Sequence, residues 1–273
     1  MRKLIVGAMV SIDGVMQAPG GPTEDPTKGF KFGGWQIPYF DQAFGEELDR
    51  LFQKFDLLLG RKTYEIFAGY WPYQGENAPH GGIAKLFNDV KKYAVSRSGE
   101  LDTSWQGSVL LRDIADVKRL REEDGPNLVT QGSTELVHAL LANDLVDAMT
   151  IFTMPVVLGS GKKLFADGSA PHSYKLTRSR VSSMGVMIGH YERAGDIKIG
   201  NTALDSPSDR ERASGTDEAR GLEVDCRSTS GFHGKVYSQL QSDQPAPVFP
   251  MKLPWNLLVP LMPVYFPVPP TKR

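Results

Sequence analysis

The stretch Leu57-Leu58-Leu59-Gly60-Arg61-Lys62-Thr63-Tyr64 decides the fold. Three consecutive leucines leave no wet face, as in a strand covered on both sides within a parallel sheet. Gly60 then turns the chain into a segment that Ile66 and Phe67 continue at helical spacing. Parallel strands require crossover helices. Each such junction sets unpaired N–H groups and a positive dipole end at the carboxyl edge of the sheet.

Working outward, the same alternation recurs. Leu4–Val10, Tyr93–Val95, Val109–Leu111, Leu128–Thr130 and Met149–Val157 read as further strands. Between them Phe40, Phe44, Leu48, Leu51, Phe52 and Phe55 recur at helical spacing, as do Ile114, Val117 and Leu120, and then Leu136, Val137, Leu140 and Leu141. Tyr174–Ser182 and Val186–Tyr191 flank Ser183-Met184-Gly185, the pattern of an antiparallel hairpin. The expected fold is α/β, with a mostly parallel central sheet, helices on both faces and a C-terminal antiparallel hairpin.

Three strand ends carry chemistry. At the first, Arg61 and Lys62 add positive charge beside the helix start, and Thr63 adds a hydroxyl that either caps the helix or meets a phosphate oxygen. A capped helix with two solvated cations is the competing reading. At the second, Gln131-Gly132-Ser133 follows Leu128-Val129-Thr130, and Gly132 permits close backbone approach by a phosphate. An ordinary Gly-Ser turn capped by Ser133 competes with it. At the third, Ser96 and Arg97 close Tyr93-Ala94-Val95, so that with Arg61 they form a clamp for a dianionic phosphate. Neither GxGxxG nor GxxxxGK[ST] occurs, which excludes an ordinary Rossmann or P-loop site.

On the substrate side stand aromatic residues, among them Trp35, Tyr39 and Trp71, in position to wall a planar ring or simply to pin their loops to the core. Asp13 ends the first strand and reads as an orienter or proton relay near the reacting centre, or as an Asx-turn. The five histidines show no metal-ligand spacing, and no metal is expected.

Composition narrows the partners. Of 273 residues 40% are hydrophobic and 23% charged, with a net charge of −1, so no global field attracts nucleic acid or an anionic membrane. Cys226 stands alone, which rules out an internal disulfide and fits a cytoplasmic setting. The apolar run Leu4–Ile12 behind Arg2 and Lys3 is read as a strand rather than a signal peptide. Met251–Val268 contains four prolines that forbid an ordinary membrane span. Ten of the 19 prolines but only four of the 28 glycines fall after residue 200. The expected division is therefore a domain over 1–195 and a Pro-rich tail over 196–273, either disordered or an accidental extension.

Five motifs in order resemble the dihydrofolate-reductase-like superfamily, more closely its branch containing the C-terminal reductase domain of the bifunctional riboflavin-biosynthesis deaminase/reductase. They are Ser11-Ile12-Asp13-Gly14, Gly60-Arg61-x-Thr63-Tyr64, Val95-Ser96-Arg97, Gln131-Gly132-Ser133, and the run from Met154-Pro155 through Gly159-x-Gly161-Lys162 to Leu164-Phe165. The resemblance spans residues 2 to 193. It implies a reductase taking hydride from NADPH and acting on a pteridine- or pyrimidine-like heterocycle. It places Arg61, Ser96 and Arg97 at the adenosine 2′-phosphate, Thr63 and Gly132-Ser133 at the pyrophosphate, and the chain around Asp13 and Gly14 at the nicotinamide. Gly60, Lys62 and Gln131 complete the expected cofactor set. A small-molecule substrate and a homodimer are the expected partners; an NADPH-binding module without turnover is the alternative.

The chain departs from the riboflavin-pathway pattern. Gly7 stands where those reductases carry a lysine, Gln131 where they tend to an acidic residue, and Thr63–Pro72 where they use an Asp-x-Pro segment. Recognition of a ribityl phosphate is not expected of it.

Overall fold

Apolar runs with no polar face must be covered twice, and the sheet is built on them. The computed structural model describes residues 1–75, 81–200 and 208–209. In chain order the elements are β1 (Leu4–Ser11), α1 (Gln42–Leu51), β2 (Phe55–Gly60), α2 (Arg61–Ala68), α3 (Gly81–Asp89), β3 (Lys92–Val95) and β4 (Ser108–Leu111). There follow α4 (Ile114–Glu122), β5 (Asn127–Thr130), α5 (Thr134–Ala142), β6 (Ala148–Met154), β7 (Tyr174–Val181) and β8 (Met187–Arg193). The eight strands lie in the order β4-β3-β2-β5-β1-β6-β8-β7. Pairing is parallel from β4 to β6 and antiparallel for β6–β8 and β8–β7. The α/β fold expected from the sequence is the one found, hairpin included.

Side chains alternate between two cores. Leu57, Leu59, Val129 and Phe152 face α1, α2 and α3 through Phe44, Leu48, Tyr64 and Phe87. Leu58, Leu128, Val6 and Val10 face α4 and α5 through Val117, Leu120, Val137 and Leu140. Leu57, Leu58 and Leu59 are all fully buried, each worth about 1.5–3 kcal/mol of burial.

Boundaries moved where caps and turns intervene. The helical run read from Phe40 to Phe55 is a helix only over Gln42–Leu51, because Asp41 accepts the Phe44 N–H at 2.9 Å and caps it. Lys54 then takes a left-handed turn, and Phe55 opens β2. The strand read as Met149–Val157 ends at Met154, just before Pro155. Helix α3 carries Ala84 and Phe87 inward and was not legible in the apolar pattern. Of the expected tail over 196–273, residues 201–207 and 210–273, with His233 and Cys226, lie outside the described residues, as does His80. Among those described, no helix is long and apolar enough to cross a membrane.

At the amino edge the chain start is tied down. Arg2 is buried, pairs with the Asp56 carboxylate, and donates to the Pro126 carbonyl at 2.6 Å and to the Tyr93 hydroxyl at 3.3 Å. Asp56 also accepts the Lys91 N–H at 3.1 Å. One ion pair thereby joins the segment before β1 to β2, β3 and the lead-in to β5.

Candidate active site

Opposite that edge, the junctions leaving β2 and β5 meet. The Gly60 N–H donates to the Gly132 carbonyl at 3.0 Å. A Cβ on Gly60 would strike the Ser133 hydroxyl, and one on Gly132 would lie 3.0 Å from Thr63 Oγ1. Gly132 also sits at φ 132°, and its peptide bond to Ser133 is cis. Only glycines allow the two turns to approach this closely. Thr130 braces the second turn: its hydroxyl accepts from Gly132 N at 3.2 Å and donates to Gly132 O at 3.1 Å.

The two helix starts differ. Ser133 caps α5 by accepting the Leu136 N–H at 3.5 Å, as the turn reading expected. Gly60, the N-cap of α2, has no side chain to offer, so the first-turn N–H groups of α2 face the carboxyl edge without a side-chain cap from that residue. Thr63 points its hydroxyl at Gly132 rather than at its own helix start.

The third strand end joins them. Arg61 Nη1 donates to Ser98 Oγ at 3.0 Å, and Ser98 Oγ lies 3.1 Å from Ser96 Oγ. Arg61 Nε is held by Glu65 one turn on, at 2.8 Å. Arg97 is exposed beside them. Arg61, Ser96 and Gly132 therefore share one edge. Ser98 was missed in the sequence, although a second hydroxyl two residues past a strand-ending serine is the signal that would have found it.

The loop leaving β1 covers the neighbouring part of this edge. Asp13 accepts from Ser11 Oγ at 2.6 Å, Gly159 N at 2.8 Å and Leu158 N at 3.1 Å. The Ser11 hydroxyl holds its carboxyl down at about 2 against desolvation, with the Leu158 and Gly159 N–H groups acting in the same sense as Ser11. A carboxylate of that kind carries no proton at neutral pH, and its hydrogen bonds fasten the end of β1 to the loop after β6. Gly14 closes the turn, its N–H donating to Ser11 O at 2.9 Å. Gln131 Nε2 reaches Met9 Sδ at 4.0 Å.

Of the aromatic residues, Trp35 is buried with Nε1 on the Gln17 carbonyl at 2.8 Å, and Tyr39 packs half-buried against the same core. Trp71 lies elsewhere. It packs on Phe87, and its carbonyl accepts from Asn88, whose own carbonyl receives Lys92 at the start of β3, on the amino side. It does not join the group around Asp13.

Lys62 forms an ion pair with Asp25, and Lys162 joins the same carboxylate at 2.7 Å. Asp25, Gln17 and Glu24 were not singled out in the sequence because loop carboxylates and amides carry no periodic signal. The side chain of Glu24 accepts the N–H groups of Gly20 at 2.6 Å and Gly21 at 3.1 Å. Burial nevertheless pushes its carboxyl up to about 7. Between pH ~4.5 and ~7 the folded chain keeps a proton that the unfolded chain has lost, so this group's contribution to stability falls as pH rises through that window. Glu24→Gln has no proton to lose. In urea titrations its stability relative to wild type should rise by about 1–3 kcal/mol from pH 5 to pH 8, and an offset independent of pH would refute the assignment.

Gly7 also receives an explanation. A Cβ there would run into the Leu51 side chain of α1, so the volume a lysine would need is filled by the core.

YyaP of Bacillus subtilis strain 168, an uncharacterised protein, is 26% identical over 189 residues, covering 68% of this chain and 92% of YyaP. YwjB of the same organism, likewise uncharacterised, is 26% identical over 201 residues, 71% of this chain and 99% of YwjB. Among solved structures, a pyrimidine reductase-like protein from Corynebacterium diphtheriae superposes with a TM-score of 0.50 at 15% identity, over 71% of this chain and 93% of that one. The model of the RibD C-terminal domain matches residues 2–188, nearly all of the sheet and its helices. With that match and the fold in agreement, the chain belongs to the RibD C-terminal domain family.

Proposed function

We propose that this protein is an NADPH-dependent reductase of a small pteridine- or pyrimidine-like heterocycle. The observation that carries the reading is the locked pair of turns at Gly60 and Gly132, with Arg61, Ser98 and Ser96 on the same edge. The residues fit a phosphorylated dinucleotide. Gly60 and Gly132 pack the two turns directly against each other, and the α2 N–H groups beside them offer donors to an anion. In this reading Thr63 and the Gly132-Ser133 turn hold the pyrophosphate, while Arg61, Ser96, Ser98 and Arg97 hold the 2′-phosphate. Bound there, NADPH supplies the hydride.

The chain's own part is positioning and exclusion of water. Asp13 ties the end of β1 to the loop after β6 and so sets the height of the backbone around Gly14. Trp35 and Tyr39 give that loop an apolar underside against which water is excluded. Lys62, committed to Asp25, acts as a strut of this loop rather than as a direct phosphate ligand.

Calorimetric titration with NADPH, followed by loss of nicotinamide absorbance with pteridine, pyrimidine and quinone acceptors, tests the proposal. Uptake with oxidation by a heterocycle is the expected result. Uptake without oxidation by any acceptor identifies a binding module, and no uptake refutes both readings.

A further inference from the structure

The loop between β1 and α1 runs from Ile12 to Asp41 with no strand or α-helix of its own, and among the points that fasten it is a buried joint at Asp25. Asp25 is 8% exposed. Its Oδ1 receives Lys62 Nζ from the first turn of α2 and the Thr27 N–H at 3.2 Å. Its Oδ2 receives Lys162 Nζ, from the loop after β6, at 2.7 Å. Gln17 completes the joint: its Nε2 donates to the Asp25 carbonyl at 2.9 Å, and its Oε1 accepts the Lys162 N–H at 3.0 Å. The Gln17 carbonyl in turn holds Trp35. Three segments distant in sequence thus meet on a single carboxylate, and one of its partners, Lys62, precedes Thr63, which faces Gly132.

We propose that Asp25 is a positioning residue that keeps the β1–α1 loop shut over the carboxyl edge by joining Lys62 of α2 to Lys162. Two ammonium groups share one carboxylate, so neither lysine alone replaces what the loop would lose on opening. Burial works against the charged carboxylate, but the hydrogen bonds from Lys162 and Lys62 prevail and hold Asp25 well below the ordinary carboxylate range. Without that charge the two lysines repel each other across the joint, and nothing in it then ties the loop to α2. The closure lies beside the cofactor seat and contributes none of its phosphate contacts. Its loss should therefore reach turnover more than cofactor affinity. Only this kinetic consequence rests on the reductase reading.

The loop carries its own reporters in Lys28 and Lys31, both exposed. Limited trypsinolysis of the full chain, with the cleavage ends at these two lysines quantified by mass spectrometry, measures opening without any ligand. Asp25→Asn should be cut there about ten times faster than wild type, and Asp25→Glu, which keeps both lysine contacts, within about threefold of it. In steady-state assays with NADPH, Asp25→Asn should lower kcat about tenfold or more while the NADPH Kd moves less than about threefold, and Asp25→Glu should recover most of the kcat. Should Asp25→Asn fail to fold, Lys162→Met removes one of the two partners and should show the same split in weaker form. Cleavage of the variants at the wild-type rate would overturn the closure. A kcat and an affinity that fall together, with no rescue by Asp25→Glu, would reduce Asp25 to a structural residue. If wild type takes up no NADPH, the reductase reading fails, and the protease rates decide the closure on their own.

Discussion

Arg61→Ala should weaken NADPH by about 10- to 100-fold and NADH by less than about threefold, as read by calorimetric Kd values for the two cofactors. The asymmetry follows from chemistry. Only NADPH carries the 2′-phosphate, and a guanidinium bonded to a dianion is worth about 1.5–3 kcal/mol more than water in its place. In the protein Arg61 is aimed by two contacts, Glu65 on its own helix and Ser98 past the end of β3. It is half-exposed, so alanine there should leave the fold intact. Arg61→Lys should recover only part of the loss, since a lysine cannot engage Ser98 and a phosphate with the same planar fork. Equal weakening of both cofactors would remove Arg61 from the 2′-phosphate.

Asp56→Ala should have the largest effect on stability. The substitution leaves Arg2 buried without its counter-charge, a situation that costs about 3–5 kcal/mol, and it also strips the Lys91 N–H of its acceptor. For a domain of this size the melting midpoint should drop by roughly 6–20 °C. Restoring an apolar pair, with Arg2→Met and Asp56→Leu together, should regain much of the loss, because the penalty lies in the orphaned charge more than in the missing attraction. A single-variant loss below about 1 kcal/mol would show that water reaches the Arg2 site. This amino edge is remote from the Gly60 and Gly132 turns, so NADPH affinity should not change while the chain is folded.

Much of this architecture was legible because burial leaves a mark in the residue pattern. Leu57-Leu58-Leu59 announced a strand covered on both faces, and Gly60 announced the turn that follows. Ser133 declared its helix start by the ordinary preference of a hydroxyl for that position. What escaped notice lacks periodicity. Helix α3 presents only a short apolar stripe, and Phe55 continued the spacing of α1 although the chain had already turned at Lys54. Within the site, the sequence led to the backbone turns and to Arg61, where charge and glycine stand next to a strand end. It did not lead to Asp25, Gln17 or Ser98, whose partners lie far away in the chain and are chosen by folding alone. Trp71 shows the opposite failure, since an aromatic residue following α2 looks the same in sequence whether it lines a pocket or fills a core.

The placement of β1 between β5 and β6 has a consequence for biosynthesis. Leu4 pairs with Leu128, and Ile5 with Ala148, so β1 leaves the ribosome well before either of its sheet neighbours has been made. At about 5–20 residues per second the delay is roughly 6–25 s, during which Leu4–Ser11 has neither neighbour. An apolar ribbon held open for that long is a natural substrate for a nascent-chain chaperone, and slow translation over the stretch before β5 would lengthen its exposure.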